Sequence, residues 1–291
     1  MEHSENIFCP SCGHTKSKLH TKVKDHFLTG ENFDLVQCES CSLVYTQNRP
    51  LLEKIGDYYK SEDYVSHSST KKGVVNRVYN VVRNYTLGKK VKLISSLTTG
   101  THLLDIGAGT GHFLKRAKDE GFTVLGLEPD PDARRVAKEL NNVELLPLDN
   151  LKELGVSRFD AISMWHVLEH VYDLNEELET ILSTLKDGGV FVVAVPNYTS
   201  FDASYYKDFW AAYDVPRHLY HFEPKTIKHL VESKGLRFEK MLPMKFDSYY
   251  VSMLSEKYKG GSILNAFRIG LLSNMKAKNG TYSSQIYIFR K

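Results

Sequence analysis

From residue 89 onward, short apolar runs alternate with stretches of helical period. The runs are H-L-L-D-I-G (102–107), T-V-L-G-L-E-P (123–129), V-E-L-L-P-L (143–148), F-D-A-I-S-M-W (159–165) and G-V-F-V-V-A-V-P (189–196). Helical patches fall between them at 110–120, 131–140 and 172–186. Such alternation predicts a mostly parallel sheet with helices on both faces. Punctuation agrees: Asp130 is placed to cap a helix beginning with Pro131, and Gly188-Gly189 to stop the helix before the fifth strand. After Pro196 comes an aromatic insert, 197–223, read as a lid and substrate wall. Pro224 then opens a helix that Gly235 stops. Two last strand-like runs, L-R-F-E-K-M-L-P-M and S-Q-I-Y-I-F-R, flank helical patches at about 248–275.

The pattern upstream is different. Residues 49–88 are polar and tyrosine-rich, with helix-like patches, and read as a linker and lid. Tyr58, Tyr59 and Tyr64 could either close over a ligand or pack in a core. Residues 1–48 hold short strand-like runs, F-D-L-V-Q and S-L-V-Y-T, around two C-x-x-C knuckles, Cys9/Cys12 and Cys38/Cys41. All four cysteines of the chain lie in these knuckles, about 25 residues apart, the spacing of a four-thiolate zinc ribbon. Every coordination position is filled, so the expected zinc is structural. His14 and His20 read as solvated bystanders.

Composition narrows the class further. The chain has 291 residues, 42% of them hydrophobic, and a formal net charge of +3 with both signs interspersed. That balance argues against a nucleic-acid partner, and no apolar run approaches the ~20 residues of a membrane span. The opening M-E-H-S-E-N carries no secretory leader, which leads to the expectation of a cytoplasmic chain. None of this sets an oligomeric state.

The first strand of the alternating region runs into Asp105-Ile-Gly107-Ala-Gly109-Thr-Gly111, and the second ends at Glu128, twenty-one residues beyond Gly107. A glycine turn followed at that distance by an acid is the arrangement that cradles a nucleotide and holds its ribose hydroxyls. The order G-x-G-x-G, with an acid in front and no basic residue inside, suits an ammonium and sulfonium better than phosphates. It points to S-adenosylmethionine.

L-L-D-I-G-A-G-T-G-H-F-L, G-L-E-P-D, F-D-A-I-S-M-W-H-V-L-E-H-V and L-K-D-G-G-V-F-V-V-A-V-P-N resemble successive motifs of class I S-adenosylmethionine-dependent methyltransferases. P-R-H-L-Y-H-F is similar to a bacterial subgroup that often carries an N-terminal zinc ribbon. The resemblance runs from the ribbon to about residue 240 and implies a Rossmann-like, seven-stranded, mostly parallel sheet over 89–291. It also implies that Gly107, Gly109 and Gly111 bend around the methionine part, organised by Asp105, and that Glu128 binds the ribose. Asp149 would reach the adenine amine, with Asn150 beside it, although a helix cap would explain Asp149 as well. Met164 and Trp165 would lie against the adenosine.

Methyl transfer from a sulfonium requires alignment of the nucleophile, and an oxygen nucleophile must also lose its proton to a base or a metal-activated site. Two histidine pairs sit beyond strand ends: His166 and His170, and His218 and His221. W-H-V-L-E-H-V has three readings. It could be a structural turn, it could supply a histidine base, or it could hold a second divalent metal through His166, Glu169 and His170, completed by His218 or His221. A similar E-x-x-E-H run binds a divalent ion in small-RNA and ubiquinone-pathway O-methyltransferases. Here His166 replaces its first glutamate, which favours zinc, iron or manganese over magnesium. Arg217 is a candidate for a phosphate or carboxylate, or for an ion pair with Asp214 or Glu223. The acceptor expected is a small or carrier-linked molecule methylated at oxygen. The alternatives are an RNA methyltransferase that uses the ribbon, and a non-catalytic binding protein of the same fold.

Overall fold

The computed structural model describes residues 7–59, 74–278 and 280–291, with backbone alone for 74–80. Tyr64 and much of the tyrosine-rich stretch therefore lie outside the described residues. Six strands form the main sheet: β4 (His102–Ile106), β5 (Thr123–Leu127), β6 (Phe159–Trp165), β7 (Leu185–Pro196), β9 (Arg237–Pro243) and β10 (Ser284–Arg290). Their order is β5-β4-β6-β7-β10-β9. The first four are mutually parallel, and β10 runs antiparallel to both β7 and β9.

The expected seventh strand is reduced to one parallel bridge, Leu127 to Leu146. Leu146 gives its N–H to Gly126 and accepts from Glu128, and the next residue, Pro147, has no N–H to extend the ladder. Gly188-Gly189 also differs from expectation. The preceding helix ends at Ser183, and the glycines lie inside β7, where the register against β6 shifts. They meet the chain's last residue: Gly188 N–H donates to Lys291 O, and Lys291 N–H to Gly189 O. Asp130 does cap its helix, Pro131–Asn141, by accepting from Asp132 N at 2.9 Å.

Strand alternation divides the core. Leu104, Ile106, Ile162, Met164, Phe191 and Val193 pack on one face of the sheet. Leu103, Ala161, Val190, Val192 and Ala194 pack on the other.

The N-terminal part is a second sheet: β1 (Ser17–Lys24), β2 (Asn32–Cys38) and β3 (Val44–Gln47) are antiparallel neighbours. Its fourth strand comes from far along the chain, because β8 (Tyr220–His221), inside P-R-H-L-Y-H-F, pairs with Val44 and Tyr45. Tyr206, Trp210 and Tyr213 of the insert are buried against Val23, Phe33, Leu35 and Val44 of this sheet. The insert thus packs on this N-terminal sheet, and these three aromatics belong to the core they share. Arg217 pins the junction. Its guanidinium donates to Asp25 at 2.9 Å, to Asp214 at 2.7 Å and to the carbonyl of Tyr58 at 3.1 Å, and it is buried. The Asp214 pairing is one that the sequence suggested. Committed in this way, Arg217 is not available to a ligand's phosphate.

Candidate active site

The glycine turn joins β4 to helix His112–Asp119 with Gly107, Gly109 and Gly111 all at positive φ (69°, 54° and 76°). Two of them are also required by space. A Cβ on Gly107 would lie 2.4 Å from Val167 Cγ2, and one on Gly111 3.0 Å from Ala137 Cβ. Gly109 faces open space instead, leaving the backbone accessible to a ligand. The acid at the end of β5 reaches this turn: Glu128 Oε2 accepts from Gly109 N at 2.7 Å, and Oε1 accepts from Asp130 N at 3.0 Å. Burial pushes the Glu128 carboxyl up.

Asp105, at the end of β4, accepts from Ser163 Oγ at 2.6 Å. Burial pushes its carboxyl up to about 7, against the opposing pull of Ser163 and Lys90. Lys90, on helix Val74–Ser95, holds its ammonium 4.1 Å from the centre of the Trp165 ring. The indole N–H of Trp165 is buried with no hydrogen-bond partner among the described residues. Met164, its neighbour, is fully buried in the opposite core. Asp149 is exposed in the first turn of a 3-10 helix whose N-cap is Pro147, and Asn150 bonds Glu153 at 2.8 Å. Asp149 is therefore not a cap.

Beyond β6 the chain bends sharply, with His166 in the left-handed region at φ 58°. This turns the ring between two carboxylates. Its Nε2 is 2.9 Å from Asp247 Oδ2, and its Nδ1 is 3.4 Å from Glu169 Oε1. Burial alone would lower the imidazole, but Asp247 and Glu169 outweigh it and raise the pKa to about 9. Glu169 is fully buried, and its carboxylate oxygens have no hydrogen-bond partner among the described residues. Burial acts to protonate it, yet the charged His166 beside it holds it below the usual carboxylate range.

Glu169, His170 and His218 come together: one ligand atom from each lies within 4.8 Å of the others. The rings of His170 and His218 are edge-on, with centroids 4.6 Å apart. Both Nδ1 atoms face backbone carbonyls, at 3.0 Å (Arg217) and 2.9 Å (Ala212). A carbonyl only accepts, so each Nδ1 carries a proton, and in the neutral ring Nε2 is the atom left to bind a ligand. Burial pushes His170 down to about 4, so it is neutral. Tyr59 adds its hydroxyl at 3.0 Å from His170 Nδ1.

The structure narrows the expected metal set. His166 is not among the clustered ligands: its Nε2 goes to Asp247, and its Nδ1 stands 3.4 Å from Glu169. His221, in β8, bonds Thr46 Oγ1 at 3.1 Å and lies outside the cluster. Of the two later histidines, His218 is the one that joins. Asp247 and Lys90 carry no motif and were not singled out from sequence. Asp247 begins a helix, Asp247–Lys259, whose apolar pattern is weak.

The four cysteines also assemble. Cys9 and Cys41 Sγ are 3.5 Å apart, and Cys12 and Cys38 Sγ 3.6 Å, with all four within 4.8 Å. Tetrahedral zinc with ordinary Zn–S bonds spaces its sulfurs about 3.8 Å apart, so the donor set fits that ion.

Residues 79–240, more than half of the chain, match the methyltransferase-domain family. The chain belongs to this family, among the class I S-adenosylmethionine-dependent methyltransferases. A ubiquinone biosynthesis O-methyltransferase of Methylobacterium sp. (strain 4-46) is 31% identical over 149 residues, covering 47% of this chain and 60% of the relative. The mitochondrial ubiquinone biosynthesis O-methyltransferase of Homo sapiens is 26% identical over 166 residues, 52% of this chain and 45% of that one. The chain spans about half to three-fifths of the length of the curated relatives it matches. Magnesium protoporphyrin IX methyltransferase of Synechocystis PCC 6803, solved with bound SAH, shares the methyltransferase fold. Its TM-score is 0.55 at 14% identity, over 82% of this chain and 99% of that one.

Proposed function

We propose that the chain transfers a methyl group from S-adenosylmethionine to an oxygen of a small-molecule or carrier-linked acceptor. The observation that carries this reading is the buried Glu169 carboxylate, ion-paired with His166 at 3.4 Å and clustered with His170 and His218 next to the glycine turn. Val167, two residues before Glu169, packs directly on Gly107, so the two sites are contiguous. The names of the O-methyltransferase relatives support oxygen as the acceptor atom.

S-adenosylmethionine supplies an already activated methyl group. On the chain's side, Gly109 leaves backbone open to it, Glu128 would hold the ribose hydroxyls, and Asp105 would face its ammonium. Trp165 and its free indole N–H line the same region, while Asp149 and Asn150 stand at the adenine end. A divalent ion held by Glu169, His170 and His218 would supply Lewis-acid assistance to deprotonation of the acceptor hydroxyl. One carboxylate and two imidazoles suit zinc, iron or manganese better than magnesium.

The geometry favours this reading over His166 as the base. Both ring nitrogens of His166 face carboxylates, and its high pKa keeps it charged at neutral pH. It serves to hold Glu169 ionised and in place. The four cysteines would hold a separate, structural zinc. Lys22, one of the ribbon lysines, is paired to Asp34 at 2.7 Å, which supports a solvated face over an RNA-binding one.

The test combines metal analysis with labelled-methyl transfer into a panel of sugars, phenols and other hydroxyl-bearing small molecules. The expected result is about one zinc per chain plus a second ion lost in His218→Ala, with transfer lost alongside it. Failure of S-adenosylmethionine to bind in calorimetry would overturn the whole reading. Salt-sensitive retention of RNA would favour the RNA alternative.

A further inference from the structure

Helix Ile263–Lys276 carries a stripe of large apolar side chains that stands exposed. Ile263, Phe267, Leu271 and Met275 recur every four residues, and Leu264 lies beside them. All five are exposed, Leu264 at 79% and Met275 at 70%. The opposite face, with Ala266, Ile269, Gly270 and Ser273, is buried, and Gly270 packs against Tyr249 of the preceding helix. The outer stripe is therefore not the core side of this helix. It also leads toward the site. Asn274 bonds the carbonyl of Lys245 at 2.9 Å, setting the Met275 end beside exposed Phe246 and the start of the helix that bears Asp247.

Along the helical hairpin itself the exposed charges are of one sign. Between Lys245 and Lys278 there are six basic residues and two acids. Lys245, Lys257, Lys259, Arg268, Lys276 and Lys278 are all exposed. Both acids are engaged inside the protein: Asp247 faces His166, and buried Glu256 accepts from Ser262 N and Asn265 Nδ2. An exposed apolar stripe whose own hairpin exposes only cations is the pattern of a helix that lies in the headgroup layer of an anionic bilayer.

We propose that this helical hairpin docks the protein on an anionic lipid surface, with the Ile263–Met275 stripe in the interface. A second copy of the chain is the weaker fit, because a two-fold contact would bring Arg268 and its neighbours against their own like charges. No helix among the described residues is long and apolar enough to span a membrane, so the mode is peripheral.

The test is vesicle flotation of the full, zinc-loaded chain with phosphatidylcholine alone and with phosphatidylcholine containing phosphatidylglycerol. Retention on the anionic vesicles should be about tenfold or more above that on the neutral ones and should fall with salt. Phe267→Ser with Leu271→Ser should lose about tenfold in retention, and Arg268→Glu with Lys278→Glu should erase the preference for anionic lipid. These side chains are exposed, and unchanged thermal melting will show that the variants fold. Absence of vesicle binding overturns the proposal, as does equal retention on both lipids. So does a concentration-dependent dimer that the serine variants abolish without any vesicle binding. Calorimetric binding of S-adenosylmethionine, run without lipid, reports separately on the methyltransferase reading.

Discussion

His166 Nε2 lies 2.9 Å from Asp247 Oδ2, joining the end of β6 to a helix that starts after β9. The pair, with Glu169 on the other ring nitrogen, lifts the imidazole to about 9 against its burial. A histidine whose folded pKa is raised adds stability fully below its unfolded value of about 6.5, and loses it as pH climbs through the folded value. Thermal stability should therefore fall between about pH 6.5 and 9. Asp247→Asn should flatten that slope and bring the His166 titration, followed by NMR, down toward the ordinary imidazole range.

Asp105 gives a pH dependence of the opposite kind, expressed in binding. Burial, partly offset by Ser163 and Lys90, sets its carboxyl at about 7. The ammonium of S-adenosylmethionine favours the ionised form, so binding should release a proton and tighten as pH rises through about 7. Calorimetry in buffers of different ionisation enthalpy measures that proton, and Asp105→Asn should remove it.

The three turn glycines should respond differently to alanine. Gly107→Ala places a methyl against Val167 at positive φ and should cost about 1–3 kcal/mol of stability. Gly109→Ala meets open space, so its stability cost should stay near ~1 kcal/mol. Its methyl instead enters the proposed cofactor space, and S-adenosylmethionine affinity should fall by about tenfold, or ~1.4 kcal/mol. Melting curves and calorimetry on the two variants separate the effects.

Loss of the proposed zinc should reach the proposed metal site at Glu169, His170 and His218. Cys38 closes β2, β3 follows, and Thr46 in β3 ties down the His218 segment: its Oγ1 donates to His218 O at 2.8 Å and its N–H to Leu219 O at 2.9 Å. Cys41→Ser should abolish zinc binding and also weaken the ion at Glu169, His170 and His218 by about tenfold or more. Metal titration of the variant measures this, and Thr46→Val should reproduce the second effect with zinc retained.

Much of this was legible along the chain. The alternation from residue 89, the glycine turn and the acid at Glu128 are local or regularly spaced features, and they meet as expected at the Gly109–Glu128 hydrogen bond. Convergence of the cysteines also follows from their spacing. What could not be read is pairing between distant segments. Nothing in the local pattern of Asp247 marks it as the partner of His166. His218 and His221 are three residues apart and look alike in sequence, yet only the first reaches Glu169. The second is held by Thr46, because β8 pairs with a strand far from it along the chain.

That borrowed strand bears on how the molecule can be cut. The family match begins at residue 79, and an excised 79–291 would present itself as a tidy catalytic unit. It would leave β8 without its neighbour, expose the face that Val23, Phe33 and Val44 cover, and strand Arg217 without Asp25. Grafting the cysteine-bearing segment onto another enzyme would fail for the reciprocal reason, since its sheet is one strand short. The two ends of this polypeptide are co-dependent parts and not exchangeable modules.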